Sequence, residues 1–340
     1  MQGVSEIILR NVASLPAGDL LLVNPPRDLL FRHLQDSGHR VRVSTQDYGD
    51  FRWLEGSGAQ AAFDRVAQAV PDSGAALLFL PREKSRLELL LHGLAASLPA
   101  DAQLWVSGEN RAGIKSCPRH LQRFFDTVEK RDSARHCTLF SAAQPLRVPR
   151  FDLDDYEASW TLDAGGRRLE IKSFPGVFAH GRLDPGSALL LQALEALKPA
   201  GRVLDLACSA GVIGLSLLAA GRTVELTLLD VYSLALEASR RSLAANGLQA
   251  TVLASDGLRE LSGRFDWIVS NPPFHRGVGA DLDVAADFFA AAGTSLSQSG
   301  TMLIVCNRHL PYFRGLQEYF RQVEECAGNR EFRVLAARQR

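Results

Sequence analysis

The most diagnostic segment of the sequence is Val203-Leu-Asp-Leu-Ala-Cys-Ser-Ala-Gly-Val-Ile-Gly214. It begins as a short apolar run that includes an acid, Asp205, continues through small residues and opens a helix-like stretch. Such a strand–turn–helix unit lets a ligand lie against backbone N–H groups at the helix start. The acid disfavours a pyrophosphate ligand, because two negative charges would meet, and favours a cation such as the amino group of a methionine moiety. Taken alone, the segment fits an ordinary strand–helix turn equally well.

Two further acids follow predicted strands downstream of this turn. Asp230 closes the next strand, 19 residues after Gly211 (230 − 211). An acid about 20 residues beyond such a turn can accept hydrogen bonds from ribose hydroxyls. Asp256 comes after the third strand, where it could accept from an adenine amino group or serve as a turn or N-cap residue. The pattern predicts a nucleoside-containing cofactor.

The motif Asn271-Pro-Pro-Phe274 follows the strand predicted over residues 265–269. Two prolines end the strand and stiffen the loop, since each fixes φ and lacks a donor. An aromatic or amide amine is a poor nucleophile, because its lone pair is delocalised. The Asn271 side-chain oxygen and the Pro272 carbonyl can accept its two N–H bonds, and Phe274 offers a stacking face. Positioning of this kind can supply about 7–11 kcal/mol, so the motif predicts transfer to a planar amine.

The whole chain alternates short apolar runs with helix-like stretches, which is typical of parallel α/β folds. Its 340 residues exceed the usual size of one domain. Residues 141–150 contain two prolines and no periodicity, so we expect a linker there and domains over 1–145 and 146–340. A helix is expected near residues 59–69. The chain contains a second Asn-Pro-Pro motif, Asn24-Pro-Pro26, which also follows a predicted strand. Too few residues precede that strand for it to be the fourth strand of a domain, so we interpret this motif as structural.

Composition limits the choice of partners and compartments. The 38 basic and 38 acidic side chains cancel, so any RNA contact must come from a local patch. Five scattered cysteines without a C-x-x-C pair indicate reduced thiols in a cytoplasmic protein and argue against a structural zinc site or other metal. The chain has no apolar run of 18 residues and no visible secretory signal, so we expect no membrane association.

Several segments of both predicted domains carry a family resemblance. They are Val106-Ser-Gly-Glu-Asn-Arg-Ala-Gly113, Asp132-Ser-Ala-Arg135, Pro175-Gly-Val-Phe178, Leu183-Asp-Pro-Gly-Ser187 and Asn271-Pro-Pro-Phe-His275. With these the sequence resembles, over nearly its whole length, the RsmC family of small-subunit ribosomal RNA guanine-N2 methyltransferases. The last motif alone is shared with adenine-N6 and glutamine methyltransferases, whereas the segments of the first domain are more specific.

The resemblance implies two tandem class I methyltransferase-like (Rossmann-like) domains. The N-terminal one would be degenerate and serve RNA recognition or structural support. The implied cofactor is S-adenosylmethionine, with Phe178 and Asp184 packed beside it. Of the glycines usual in the family's cofactor loop only Gly211 remains, and Ala207 and Ser209 replace the others. The implied partner is 16S rRNA in the small ribosomal subunit, methylated by a cytoplasmic monomer.

Two alternatives stay open at this point. The segment Asn307-Arg-His-Leu310 is similar to a sister group that methylates guanine N2 in 23S rRNA of the large subunit. The substituted cofactor loop is compatible with a non-catalytic RNA-binding or assembly factor. Retention of Asp205, Asp230 and the Asn-Pro-Pro-Phe motif argues against this second alternative, because a dead site has no physical reason to keep them.

Overall fold

The computed structural model describes residues 1–69, 72–146, 150–272 and 280–339. The chain divides into two compact units, Met1–Tyr156 and Glu157–Arg340, a division that lies later than the expected boundary between residues 145 and 146. The predicted linker is wrong over residues 141–145, because these end a strand that pairs with two neighbours. The first unit closes with a 3-10 turn, Leu153–Tyr156, whose Tyr156 hydroxyl lies 2.9 Å from Nδ1 of His92.

The first unit is built from helices and strands in near alternation. They are α1 (Gly3–Leu9), β1 (Asp19–Val23), α2 (Leu30–Asp36), β2 (Arg40–Thr45), α3 (Tyr48–Gly56), β3 (Gln60–Phe63), β4 (Ser73–Phe79), α4 (Lys84–Ser97), β5 (Gln103–Glu109), α5 (Cys117–Leu121), β6 (Phe125–Ala134) and β7 (Cys137–Pro145).

The second unit begins with a hairpin and then repeats the alternation. Its elements are β8 (Ala158–Ala164), β9 (Arg167–Ser173), α6 (Pro185–Leu197), β10 (Gly201–Leu206), α7 (Val212–Ala219), β11 (Val224–Asp230), α8 (Ser233–Ala245), β12 (Thr251–Ala254), β13 (Phe265–Ser270), α9 (Ala280–Ser295), β14 (Leu296–Asn307), α10 (Tyr312–Gln317), β15 (Gln322–Gly328) and β16 (Phe332–Arg338).

Both units contain a sheet of the same topology. Within the described residues the strand orders are β3-β2-β1-β4-β5-β7-β6 and β12-β11-β10-β13-β14-β16-β15. The first five strands of each order are parallel and the last two pairings are antiparallel. The predicted α/β fold in two tandem domains is confirmed. No helix among the described residues is long and apolar enough to cross a bilayer.

The central strands of the second sheet are apolar on both faces. Side chains of β10 and β13, such as Leu204 and Ile268, are fully buried. This near-continuous burial is expected of parallel strands that helices cover on both sides. Since all parallel strands end at one edge, the loops after β10, β11, β12 and β13 meet there.

One predicted helix of the first unit is a strand. Residues 59–69 are rich in alanine, which favours a helix, but Gln60–Phe63 pairs in parallel with Arg42–Thr45. The strand lies at the sheet edge and alternates between exposed and half-buried residues. Pairing with an existing sheet therefore overrides the local preference.

The β8–β9 turn gives a prediction about packing. Gly165 and Gly166 both have positive φ, 61° and 74°. A Cβ at Gly165 would clash with the backbone nitrogen of Ala220, whereas one at Gly166 would meet no described atom within 4 Å. We expect Gly165→Ala to lower the free energy of unfolding by about 2–4 kcal/mol, and the matched control Gly166→Ala by only about 1–2 kcal/mol. Chemical denaturation measures both, and equal losses would contradict the close approach.

Candidate active site

Strand pairing brings the predicted site residues to one edge of the second sheet. Leu206 at the end of β10 is in register with Leu229 of β11 on one side and Ser270 of β13 on the other. The buried Ser270 hydroxyl donates to the Leu206 carbonyl over 2.7 Å. The loops that follow these three strands are therefore neighbours, although they are far apart in sequence.

The loop after β10 has left-handed backbone at three predicted cofactor-site residues. The φ angles are 61° at Ala207, 53° at Ser209 and 78° at Gly211. Gly211 is also the N-cap of α7, and a Cβ there would lie 2.7 Å from a methyl carbon of Leu215. Glycine is thus favoured at residue 211, and Ala207 and Ser209 adopt a conformation that costs an L-residue about 1–2 kcal/mol.

Both carboxylate oxygens of Asp230 accept hydrogen bonds, one from this loop and one from the start of α8. Oδ2 accepts from the backbone nitrogen of Ser209 and Oδ1 from that of Tyr232, each over 2.9 Å. Burial raises the pKa of Asp230, and backbone N–H donors oppose this by favouring the charged form. Each carboxylate oxygen keeps a second lone pair, so the group can still accept from a ligand hydroxyl.

The Asp256 loop lies beside Asp230. The backbone nitrogen of Ser255 donates to the Asp230 carbonyl over 3.2 Å. Asp256 itself is half-buried and pairs with Arg259 at 3.8 Å. The third predicted acid therefore reaches the same edge.

Asp205 is fully buried beneath the loop. Its Oδ2 accepts from the backbone nitrogen of Gly214 over 2.9 Å, while Oδ1 has no partner among the described residues. Burial raises the pKa of Asp205 to about 7, and the nearby Asp230 carboxylate adds to the shift. An acid with one orphaned oxygen is suited to a cationic ligand group, which would favour its ionised form.

The segment before α6 lies against the cofactor loop. The Ser209 hydroxyl donates to the Phe178 carbonyl over 3.1 Å, and the Tyr232 hydroxyl donates to the Pro175 carbonyl over 3.4 Å. The Phe178 side chain is 48% exposed. Phe178 thus borders the loop and offers an aromatic surface, and its contact with the cofactor stays a prediction.

Asn271 follows β13 directly and its amide nitrogen donates twice. The acceptors are Oδ2 of Asp184 at 3.0 Å and the hydroxyl of Ser187 at 2.9 Å. Asp184 is at the same time the N-cap of α6, since the same oxygen accepts from the Ser187 nitrogen over 2.9 Å. No described residue donates to Oδ1 of Asn271. Pro272 is buried, and Phe274 lies outside the described residues.

The sequence did not assign a role to Ser187. Its spacing from Asp184 is the signal of a helix cap, in which a side chain accepts from a backbone nitrogen three residues later. Nothing local indicates the contact with Asn271, which is 84 residues further along the chain. The structure shows that Asp184 contacts Asn271, and its position beside the cofactor, which the resemblance implies, stays a prediction.

The corresponding edge of the first unit carries different side chains. β2 ends in Thr45 where β11 ends in Asp230, and Leu80-Pro81 follows β4 where Asn271-Pro272 follows β13. Asn24, in the second Asn-Pro-Pro motif, accepts from the Gln46 nitrogen at 2.9 Å and donates to Gln46 Oε1 at 3.4 Å. Its side-chain oxygen is engaged within the protein, in agreement with a structural role.

Comparisons with known proteins match both units. The methyltransferase small domain model matches residues 168–336, and the methyltransferase small domain N-terminal model matches residues 5–160. The chain is 36% identical to ribosomal RNA small subunit methyltransferase C of Shewanella loihica, over 98% of each protein. It is also 36% identical to the protein of that name from Aeromonas hydrophila, over 99% of this chain and 98% of the relative.

A solved structure is similar over the full length. The T. thermophilus 16S rRNA N2 G1207 methyltransferase (RsmC), in complex with AdoMet and guanosine, aligns with a TM-score of 0.88 at 25% identity. The alignment covers 100% of this chain and 92% of that one. The similarity therefore includes both units and the connection between them in sequence.

The left-handed backbone at Ala207 predicts that glycine at this residue would stabilise the protein. Ala207→Gly should raise the free energy of unfolding by about 0.5–1 kcal/mol, because relief of the strained φ exceeds the entropy that glycine adds to the unfolded chain. Ser209→Gly should gain less, since it also removes the hydrogen bond to Phe178. Urea denaturation of the three proteins tests this, and a loss of stability in Ala207→Gly would show that the strain is absent.

The buried Asp205 predicts a pH-dependent effect of its replacement. Its folded-state pKa of about 7 lies above the unfolded value of about 3.9, so stability present at low pH is lost as pH rises through 7. Asparagine at residue 205 cannot ionise. As pH rises from 5 to 8, the free energy of unfolding of Asp205→Asn should therefore increase relative to that of the wild type, by a few kcal/mol at most. Denaturation of both ligand-free proteins at each pH measures the difference, and a gap that does not grow with pH would contradict it.

Proposed function

The chain belongs to the ribosomal RNA small subunit methyltransferase C family, and on that premise we propose that it methylates the exocyclic N2 of a guanine in 16S rRNA. S-adenosylmethionine is the methyl donor, and the protein is an rRNA methyltransferase. The relatives in Shewanella and Aeromonas are named ribosomal RNA small subunit methyltransferase C, and they match this chain over nearly their whole length. The 23S rRNA alternative finds no support among them.

The hydrogen bonding of the Asn271 side chain is the observation that carries the proposal. Its amide nitrogen is engaged by Asp184 and Ser187, which leaves the amide oxygen as the group available to a substrate. The guanine N2 has two N–H groups and a lone pair delocalised into the ring. The Asn271 oxygen and the Pro272 carbonyl are proposed to accept those two hydrogens and hold N2 in line with the methyl donor. Phe274 is proposed to stack on the base, which contributes about 1–3 kcal/mol in comparable sites.

The residues at the strand edge fit S-adenosylmethionine. Asp205 has a buried oxygen to which no described residue donates, which suits the amino group of the methionine part, and Asp230 can accept from the ribose hydroxyls. Asp256 is proposed for the adenine amino group, and the loop Ala207–Gly211 for close backbone contact. Bound there, the cofactor supplies a methyl group activated by its sulfonium charge. N2 gains the bond to the methyl carbon as the carbon–sulfur bond breaks, and one N–H proton leaves to water.

We propose further that the substrate is 16S rRNA within the small subunit and that a cytoplasmic monomer acts on it. The formal net charge of zero supports the assembled subunit, recognised by its shape, over free RNA as the substrate. An excess of cationic side chains, which binds phosphates without sequence specificity, does not occur in this composition. The N-terminal domain is proposed to serve RNA recognition or structural support, since Thr45 ends β2 where Asp230 ends β11, and Leu80 follows β4 where Asn271 follows β13.

Transfer of labelled methyl to undermethylated ribosomal subunits tests the proposal. Wild type should label guanine N2 of the small subunit, and Asn271→Ala should lose at least about 100-fold in rate because the amine is no longer positioned. Asn24→Ala is the matched control, the same substitution in the other Asn-Pro-Pro motif, and should retain the activity. Label on the large subunit would select the 23S alternative.

A non-catalytic protein would give a different result. It would label neither subunit, and S-adenosylhomocysteine would not raise its melting temperature. Stabilisation by that ligand without transfer to either subunit would leave a methyltransferase with another substrate and would contradict the rRNA assignment.

A further inference from the structure

The two bonds to the Asn271 side chain determine which way its amide faces. An ionised carboxylate has no hydrogen to donate, so the amide atom 3.0 Å from Asp184 Oδ2 must be the nitrogen. The second hydrogen of that nitrogen is taken by the Ser187 hydroxyl at 2.9 Å. Both donors of Asn271 are thus used inside the protein, and the side chain offers the cleft only an acceptor.

We propose that Asp184 and Ser187 are positioning residues that lock Asn271 with its oxygen toward the target amine. The inference rests on the proposed function of Asn271. An asparagine amide has nearly the same shape after a half-turn about its last torsion, but the turned form would present N–H groups to the N–H groups of guanine N2. The lock removes that form before substrate arrives. It makes the site accept an amine and reject a ring nitrogen or a carbonyl at the same place.

The charge of Asp184 strengthens the lock. A hydrogen bond to a carboxylate is about twice as strong as one between neutral groups. It also polarises the amide, so the opposite oxygen becomes a better acceptor. Asn24, in the other Asn-Pro-Pro motif, differs from Asn271 in this respect. Its side-chain oxygen already accepts a hydrogen bond from the Gln46 backbone nitrogen.

The architecture explains how a helix start reaches the loop after β13. α6 precedes β10 in the chain and begins at the edge where β10 and β13 end, so its cap lies beside Asn271. Gly186, between the two positioning residues, is buried, and a Cβ there would lie 3.0 Å from Asp184 Oδ2. The helix start is therefore packed closely around the carboxylate that holds the amide.

A substitution at Ser187 can distinguish the positioning of Asn271 from the capping of α6. Ser187→Ala removes the hydroxyl that Asn271 contacts but keeps the backbone nitrogen that Asp184 caps. We expect it to lower kcat about 10-fold, the effect of losing one hydrogen bond, with the KM for S-adenosylmethionine unchanged. Ser187→Thr, which keeps a hydroxyl, should restore most of the rate. Gln192→Ala, an exposed change on the same helix, is the matched control and should match the wild type.

Each kinetic outcome decides the inference. A Ser187→Ala variant with wild-type kcat, beside an inactive Asn271→Ala, would show that Asn271 acts without this lock. A Ser187→Thr variant as slow as Ser187→Ala would assign the loss to packing and overturn the inference as well. If KM for the cofactor rose while kcat stayed constant, Ser187 would belong to cofactor binding instead.

A measurement without catalysis distinguishes failure of the lock from failure of the proposed function. In protein labelled with 15N-asparagine, the Asn271 side-chain amide can be identified by its loss in Asn271→Ala. Its hydrogens should exchange with water more slowly in the wild type than in Ser187→Ala. Equal exchange would overturn the lock, whereas slow exchange in a wild type that transfers no methyl to RNA would overturn only the function.

Discussion

The parallel pairing of β10 with β13 is the constraint on which the rest of the site depends. It places the loop after Leu206 next to the loop after Ser270, and the Ser270 hydroxyl ties the two strand ends together. Because the strands run the same way, a cofactor at one loop and a planar amine at the other would meet at one edge. A shift of the pairing by a single residue would turn the side chains of one strand to the opposite face relative to the other.

The site collects features that oppose folding. Asp205 is buried with one oxygen that finds no partner in the described part of the chain, and Ala207 and Ser209 have left-handed backbone without being glycine. Strain and buried charge of this kind persist only where the surrounding structure holds them and are frequent at functional sites. Here the surroundings are specific: Asp230 binds the loop nitrogen of Ser209, and the Ser209 hydroxyl holds the Phe178 segment. Ligand affinity and stability of the ligand-free protein are therefore in conflict at this edge.

The two units show that topology alone does not provide a site. Their sheets have the same strand order, and both contain an Asn-Pro-Pro motif. In the first unit the motif follows β1, the asparagine oxygen is used internally by Gln46, and Thr45 ends β2 where Asp230 ends β11. Chemistry depends on which strand a motif follows, because the strand order decides which loops become neighbours.

Local patterns in the amino-acid sequence are sufficient to predict the α/β class, the strand–turn–helix at residues 203–214 and the position of Asn271 after a buried strand. These follow from hydrophobic periodicity, proline and the spacing of acids, which act over a few residues to one α/β unit. The folded chain was needed to show that residues 60–63 and 141–145 are strands and that Asp184 and Ser187 contact Asn271. Those outcomes depend on sheet pairing and on contacts between residues more than 80 positions apart, for which no local pattern has a physical cause.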